Sequence, residues 1–406
     1  MRPLRNQVRR YAWGSPTAIP ALLGAESDGG PQAELWLGAH PGAPSEVVGD
    51  DVPGGVQPLD AYIAADPAGT LGAATAERFG ARLPFLLKLL AAEQPLSLQA
   101  HPDEARARAG YAAEEDAGVP RDAAHRNYRD PHHKPEMVVA LEPFEALCGF
   151  RDPARVREAL AGLDAPLAAA LREDLAAERP DAALRAAFTR LLTLPEEGRA
   201  GLVAQVVDGC RARLGAGSGD AHDRCVSELA ERYPGDPGAV AAFLLNLVTL
   251  APGEALFLPA GNVHAYLRGT GVEIMAGSDN VLRAGLTGKH VDPAELLDVV
   301  DFAVLPVPYV EPRKLPGGLE YRPGAAEFAL RIVDLDAAVP ETLPEGGPAV
   351  VLVLDGAALL RSSSGGELLL ERGSSAFLDA ADGPVTATGS GRMVAASVPQ
   401  DADPAA

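Results

Sequence analysis

The chain has 406 residues and a net charge of −21, from 56 acidic against 35 basic side chains. At ~150 residues per domain that length suggests roughly two to three domains, and a hydrophobic content of 47% excludes wholesale disorder. So strong a polyanion repels nucleic acid and anionic lipid, so neither nucleic acid nor a membrane is an expected partner.

Cys148, Cys210 and Cys225 lie far apart with no CxxC, which excludes a disulfide scaffold or a thiolate zinc finger and suits a reducing cytosol. No apolar segment near the start reads as a signal peptide. The longest apolar run, 239–251, is broken by Asn246 and falls short of the ~20 residues that span a bilayer. A cytoplasmic protein is expected. Against 31 arginines there are four lysines, Lys88, Lys134, Lys289 and Lys314. A lysine kept on such a background is a candidate for chemistry that a guanidinium cannot do.

In chain order, residues 1–150 read as strands and loops with few helices, with turn signals at Trp13-Gly14-Ser15-Pro16, Pro41-Gly42 and Pro53-Gly54-Gly55. A short helix is expected over 83–92. Residues 94–101 alternate, with Leu96, Leu98 and Ala100 on one face and Ser97, Gln99 and His101 on the other, so the polar face should line a cavity or meet solvent. From Pro153 to about Tyr233, apolar residues recur at helical spacing (Val156, Leu160, Leu163, Leu167, Leu171), broken by Pro180, Pro195 and the glycine-rich run 215–219. A further helix is expected over 239–250. Strands resume at 255–259, 263–267 and 272–275, and Pro306, Pro308 and Pro312 suggest a linker. A second run of strands follows at 349–354, 367–370 and 393–397, and 401–406 reads as a disordered tail. The expected architecture is mainly β with an α insertion. One jelly roll draws on 1–151 and 240–315, helices occupy 152–239, and a second β domain covers 316–400.

Four segments could carry chemistry. In SLQAHPDE, Gln99 and His101 lie two apart on one strand face, where an amide oxygen and an imidazole can share a borderline metal ion. In HHKPEMVVAL, Lys134 and Glu136 share a face, and Glu136 opens an apolar run, so its carboxylate needs a partner or a metal. Residues 253–264 read GEALFLPAGNVH, or G-x5-P-x-G-x2-H. That pattern resembles the second cupin motif, and Gln99-x-His101 resembles the first with glutamine in place of one histidine. In SDNVLRAGLTGKH, Asp279 and Arg283 are four apart and could pair on a helical turn.

Together with YAWG (11–14), ELWLGAHP (34–41) and LPFLLK (83–88), these segments resemble the type I phosphomannose isomerase family of the cupin superfamily. The motifs cover about 1–150 and 240–315; elsewhere the match is in placement only. The resemblance implies one zinc per chain held by Gln99, His101, Glu136 and His264, with Arg283 as the active-site arginine. It places Lys88, Lys134, His133, Asp279, Glu273 and Lys289 around the pocket. The implied reaction interconverts mannose 6-phosphate and fructose 6-phosphate through an enediol, within carbohydrate metabolism and upstream of GDP-mannose synthesis. The base stays open among Glu273, Lys134, His133 and solvent activated at the metal. Lys88, Lys289 or Ser97 would receive the phosphate of this phosphosugar substrate. The second β region has no histidine beyond His290, so a packing or oligomerisation role is expected of it, in a monomer or weak homo-oligomer. Another cupin enzyme, such as a dioxygenase or epimerase, and a non-catalytic sugar-phosphate regulator are the competing readings.

Overall fold

A computed structural model describes residues 1–49 and 53–400; the expected disordered tail, 401–406, lies outside them. Two large β assemblies are present. One has ten strands, running Leu245–Leu250, Phe144–Phe150, His264–Ala276, Phe85–Ala92, Glu34–Gly38 and Gln7–Arg9. The strands Leu98–Ala100 and Glu136–Ala140 also pair with His264–Ala276, and carry Leu282–Gly285 and Ala255–Leu258 on their other sides.

The strand His264–Ala276 organises this assembly. Residues 264–268 pair antiparallel with Phe144–Phe150, whereas 269–276 pair antiparallel with Phe85–Ala92 and Glu136–Ala140. The strand changes partners at Gly269, next to a register irregularity at Tyr266/Arg268. There φ is +127°, and a Cβ would stand 2.7 Å from the Phe144 Cα. Only glycine adopts that backbone at so close an approach.

The second assembly has eleven strands and includes Ala329–Leu335, Val385–Ser397, Ala349–Ser362 and Ser375–Leu378. It also takes the strand Arg2–Arg5, which pairs with Ser375–Leu378 on one side and Glu46–Val48 on the other. One apolar core joins the two assemblies, with Leu87, Met137 and Val272 alongside Phe328, Val350 and Phe377. The fully buried Tyr321 donates its hydroxyl to the Gly253 carbonyl at 2.7 Å. The helices from Pro153–Leu160 to Pro237–Ala241 bury Leu171, Phe188, Val206 and Leu229 in a second core shared with Leu98, Leu147, Val263 and Leu282. They thus back the strands that carry the polar motifs.

Several expected elements differ. Residues 85–92 form a strand, not a helix, and all eight residues are buried. Neighbours on both sides and cover on both faces remove the alternation that marks a half-exposed strand. The helix expected over 239–250 ends early: Pro237–Ala241 is helical, a 3₁₀ turn reaches Leu244, and Leu245–Leu250 is a strand. Asn246 holds that switch by donating to the carbonyls of Cys148, Gly149 and Phe150 at 3.1–3.2 Å. Residues 263–267 and 272–275, read as two strands, belong to one continuous strand. Among the described residues of the first 150 there are five α-helices, the longest being Glu104–Asp116, capped by Asp103 accepting from the Arg106 amide. That helix buries only Ala107 and so shows no apolar stripe to read.

Gly269→Val should lower stability by about 2 kcal/mol or more, seen as a reduced Tm in thermal unfolding. Gly201→Ala, on an exposed helical site with open space around it, should leave Tm unchanged or slightly raised. A Gly269→Val protein as stable as the parent would show that the strand does not need its bend there.

Candidate metal centre

Four polar side chains from three distant segments meet inside the ten-stranded assembly. Gln99 and His264 are register partners on adjacent strands, and Glu136 sits across from Met275 further along the same long strand. The turn before His264 is built by Pro259 and Gly261. Gly261 has φ +76°, donates its amide to the His101 carbonyl at 2.8 Å, and lies so close to Asp301 that a Cβ would meet its backbone at 3.1 Å. His101, Glu136 and His264 are each at most 3% exposed, and their ligand atoms all lie within 4.8 Å of one another.

Protonation follows from the second contact of each ring. His101 Nδ1 lies 2.8 Å from the Asn280 carbonyl, and His264 Nδ1 lies 3.0 Å from the Asn262 carbonyl. A carbonyl only accepts, so each Nδ1 carries the hydrogen and each neutral ring keeps its lone pair on Nε2. Burial depresses the His101 pKa further, overriding the pull of Glu136. Those lone pairs point at Glu136: His101 Nε2 is 3.4 Å from Oε1 and His264 Nε2 is 3.5 Å from Oε2. His101 Nε2 is buried without a hydrogen-bond partner. Acceptors facing one another at that distance repel unless a cation lies between them. A tetrahedral shell with bonds of about 2.1 Å sets its donors ~3.4 Å apart, the separation measured here. The Gln99 amide closes the group, 3.2 Å from His264 Nε2. Its nitrogen and oxygen are isosteric, so a turn of the amide offers the oxygen to the same space. The residues present therefore fit a zinc-like ion.

Charge balance points the same way. Lys134 Nζ lies 2.8 Å from Glu136 Oε1 and 3.2 Å from the Met275 sulfur. Burial would raise the Glu136 carboxyl, but the Lys134 ammonium holds it well below its ordinary value. Lys88 lies 2.8 Å from Glu273 and 3.6 Å from Glu34, with its ammonium 5.4 Å from the centre of the Trp36 ring. Burial opposes the Lys88 charge, yet Glu273, Glu34 and Glu136 raise its pKa. Glu273 is raised by burial and by its carboxylate neighbours, since it shares Lys88 with Glu34. Two ammoniums thus face three carboxylates, an imbalance that a further cation offsets.

The remaining residues singled out in the sequence lie outside this donor cluster. The Asp279–Arg283 pair expected on a helical turn does not form: Asp279 pairs with His40 at 3.3 Å, and Arg283 lies in the strand Leu282–Gly285 opposite Gln99. Arg283 has no ion-pair partner among the described residues. Its pKa is lowered by burial and then by Arg129, and Lys289 is lowered by burial, Arg283 and Arg129. Ser97 is half-buried just before Leu98–Ala100. His133 donates from Nε2 to Glu327 of the second assembly at 2.8 Å, and that hydrogen bond raises its pKa. Sequence reasoning missed Arg129, Glu327, Glu34 and His40. The last two stood inside a quoted motif, whereas nothing in the local pattern marks Arg129 or Glu327.

The fold and this donor cluster define a cupin-type protein with a buried histidine and carboxylate metal centre. A family model described as phosphomannose isomerase type I, catalytic domain, matches residues 1–153. The mannose-6-phosphate isomerase of Escherichia coli (strain K12) is 40% identical over 400 residues, 97% of this chain and 98% of that protein. The bovine (Bos taurus) mannose-6-phosphate isomerase is 32% identical over 407 residues, 93% of each chain. A mutant of phosphomannose isomerase from Salmonella typhimurium superposes with a TM-score of 0.89 at 37% identity, covering 98% of this chain and 99% of that one. A zinc-bound mannose 6-phosphate isomerase gives 0.87 at 37% identity, with the same coverage. The chain belongs to the type I phosphomannose isomerase family.

Gln99→Ala should weaken metal binding, measured as a lower metal content by elemental analysis after dialysis against a weak chelator. Unchanged content would remove Gln99 from the donor set.

Proposed function

We propose that this chain is a zinc-dependent aldose–ketose isomerase that interconverts mannose 6-phosphate and fructose 6-phosphate. The observation that carries the reading is the set of histidine lone pairs converging on buried Glu136, in a chain 40% identical to a mannose-6-phosphate isomerase along nearly its whole length. Gln99, His101, Glu136 and His264 would hold one zinc ion. When bound, zinc supplies the Lewis acidity that polarises the substrate carbonyl, worth several kcal/mol of barrier.

The reaction breaks the C2–H bond, returns that proton to C1, and moves a hydroxyl proton from O2 to O1 through an enediol. Glu273 is the group best suited to carry the carbon-bound proton. Burial and neighbouring carboxylates raise its proton affinity, which brings it closer to working pH than a free carboxylate, and such transfer contributes roughly 10²–10⁴-fold. Lys88 fixes the Glu273 carboxylate from the neighbouring strand, where the two residues are register partners. Lys134, held by Glu136, can pass a proton between the two oxygens as an ammonium donor.

The phosphate needs cations without carboxylate partners. Lys88 is committed to Glu273 and Glu34, whereas Arg283, Lys289 and Arg129 have no ion pair among the described residues, and they lie near enough that Arg129 depresses Arg283 and both arginines depress Lys289. These three, with Ser97, form the phosphate end of our reading. Arg283, opposite Gln99, also steadies negative charge on the enediol. His133 and Asp279 complete the rim. Residues 1–151 with 240–315 act as the catalytic unit, 152–239 as its helical cover and 316–400 as the supporting β unit. We place the enzyme in a reducing, cytoplasmic setting, in line with three buried free thiols, where mannose 6-phosphate can feed routes such as GDP-mannose synthesis. No helix among the described residues is long and apolar enough to cross a membrane.

A coupled isomerase assay on mannose 6-phosphate should show turnover that chelator abolishes and zinc restores. Activity indifferent to chelator, or none with zinc present, would reject the reading. Arg283→Ala should lower kcat by about 10²–10³-fold with zinc content retained; near-normal turnover would take Arg283 out of the chemistry.

A further inference from the structure

Asn280 makes no contact with the carboxylate at the centre of the donor cluster, yet it ties both ends of the site together. It is fully buried. Its side-chain oxygen accepts from the amides of Arg129 and Asp130 at 2.7 and 3.3 Å. Its side-chain nitrogen donates to the carbonyls of Asp130 and His132 at 2.7 and 2.8 Å. An asparagine has two donor hydrogens and two acceptor lone pairs, and here one segment, 129–132, uses all four. No apolar residue of the same size could satisfy those four backbone groups, and burying them unpaired would be costly.

The neighbouring residues add to the same clamp. Ser278 Oγ donates to the His132 carbonyl at 3.1 Å and accepts from the Asn280 amide at 3.2 Å, and the Asp279 amide donates to Asp130 at 2.8 Å. The segment held in this way carries Arg129 and leads directly into His133, Lys134 and Glu136. The Asn280 carbonyl, in turn, accepts the Nδ1 hydrogen of His101 at 2.8 Å, the contact that sets the ring's tautomer and direction. One residue therefore fixes a metal-donor ring through its main chain and the phosphate-side segment through its side chain.

We infer that Asn280 is a positioning residue that couples metal affinity to substrate-phosphate affinity. The inference rests on the isomerase reading for the identity of the substrate, but zinc and inorganic phosphate can be used as probes without turnover. Loosening the 129–132 segment frees the Asn280 backbone, and the His101 ring loses its fixed acceptor; both affinities fall together.

The experiment uses full-length Asn280→Ala and Asn280→Asp. Zinc affinity is measured by competition with a chromophoric chelator. Phosphate affinity is measured by inorganic phosphate quenching of intrinsic fluorescence, and kcat and KM on the zinc-saturated enzyme. Asn280→Ala should weaken zinc about 10–100-fold and weaken phosphate in parallel, with KM rising more than kcat falls. Asn280→Asp keeps the size and the accepting oxygen but turns a second oxygen toward the Asp130 and His132 carbonyls, so it should weaken both affinities at least as much as Asn280→Ala. If Asn280→Ala does not fold, Asn280→Asp alone decides. A lower Tm with zinc and phosphate affinities within twofold of the parent would overturn the inference, as would a loss of one affinity with the other unchanged. Failure of the isomerase reading would show separately, as a parent enzyme inactive on mannose 6-phosphate.

Discussion

Two neutral imidazoles aim lone pairs at one buried carboxylate, and a cation between them turns mutual repulsion into attraction. The rest of the molecule can be understood as the scaffold for that arrangement. The clustered polar side chains come from positions 99, 101, 136 and 264, so no local segment can form the site. They meet because one strand, His264–Ala276, pairs with Leu98–Ala100 near its start and with Glu136–Ala140 near its end, and bends at Gly269 between the two. The backbone carbonyls of Asn262 and Asn280 then set which nitrogen of each ring faces inward. Binding a metal at such a site also couples ligand geometry to folding, since the unfolded chain cannot present it.

Charges are sorted by depth. Inside, Lys88 and Lys134 are each paired with carboxylates and nearly inaccessible. Removing one partner of a buried pair costs roughly 3–5 kcal/mol, far more than an exposed pair contributes, so these contacts hold Glu273 and Glu136 in place as well as balancing them. Arg129, Arg283 and Lys289, by contrast, have no carboxylate partner among the described residues. On a chain of net charge −21, a local positive field of this kind is what an anionic substrate requires. The C-terminal β region reaches the 129–136 segment through Glu327, which accepts a hydrogen bond from His133.

Where chemistry demanded an unusual local pattern, the sequence was readable. The Pro-x-Gly turn before His264 needs a positive φ, so its residues stand at fixed spacing. Glu136 stood out as a carboxylate opening an apolar run, and Gln99 and His101 as the polar side of an alternating stretch. The scarcity of lysine marked Lys88, Lys134, Lys289 and Lys314; the first two are buried beside the donor cluster, whereas Lys314 is exposed. What could not be read depends on pairing between distant segments. The strand 85–92 looked helical because its neighbours cover both faces. The strand Arg2–Arg5 joins the far assembly through partners more than 370 positions away in sequence. Arg129 is one arginine among 31, and Glu327 lies in a region without histidines, so neither carries a compositional mark.

The most direct test is an anomalous difference map collected above and below the zinc absorption edge from crystals grown with zinc. The account predicts one strong peak per chain, bounded by Gln99, His101, Glu136 and His264. A principal peak elsewhere, or zinc-saturated protein with that space empty, would contradict it.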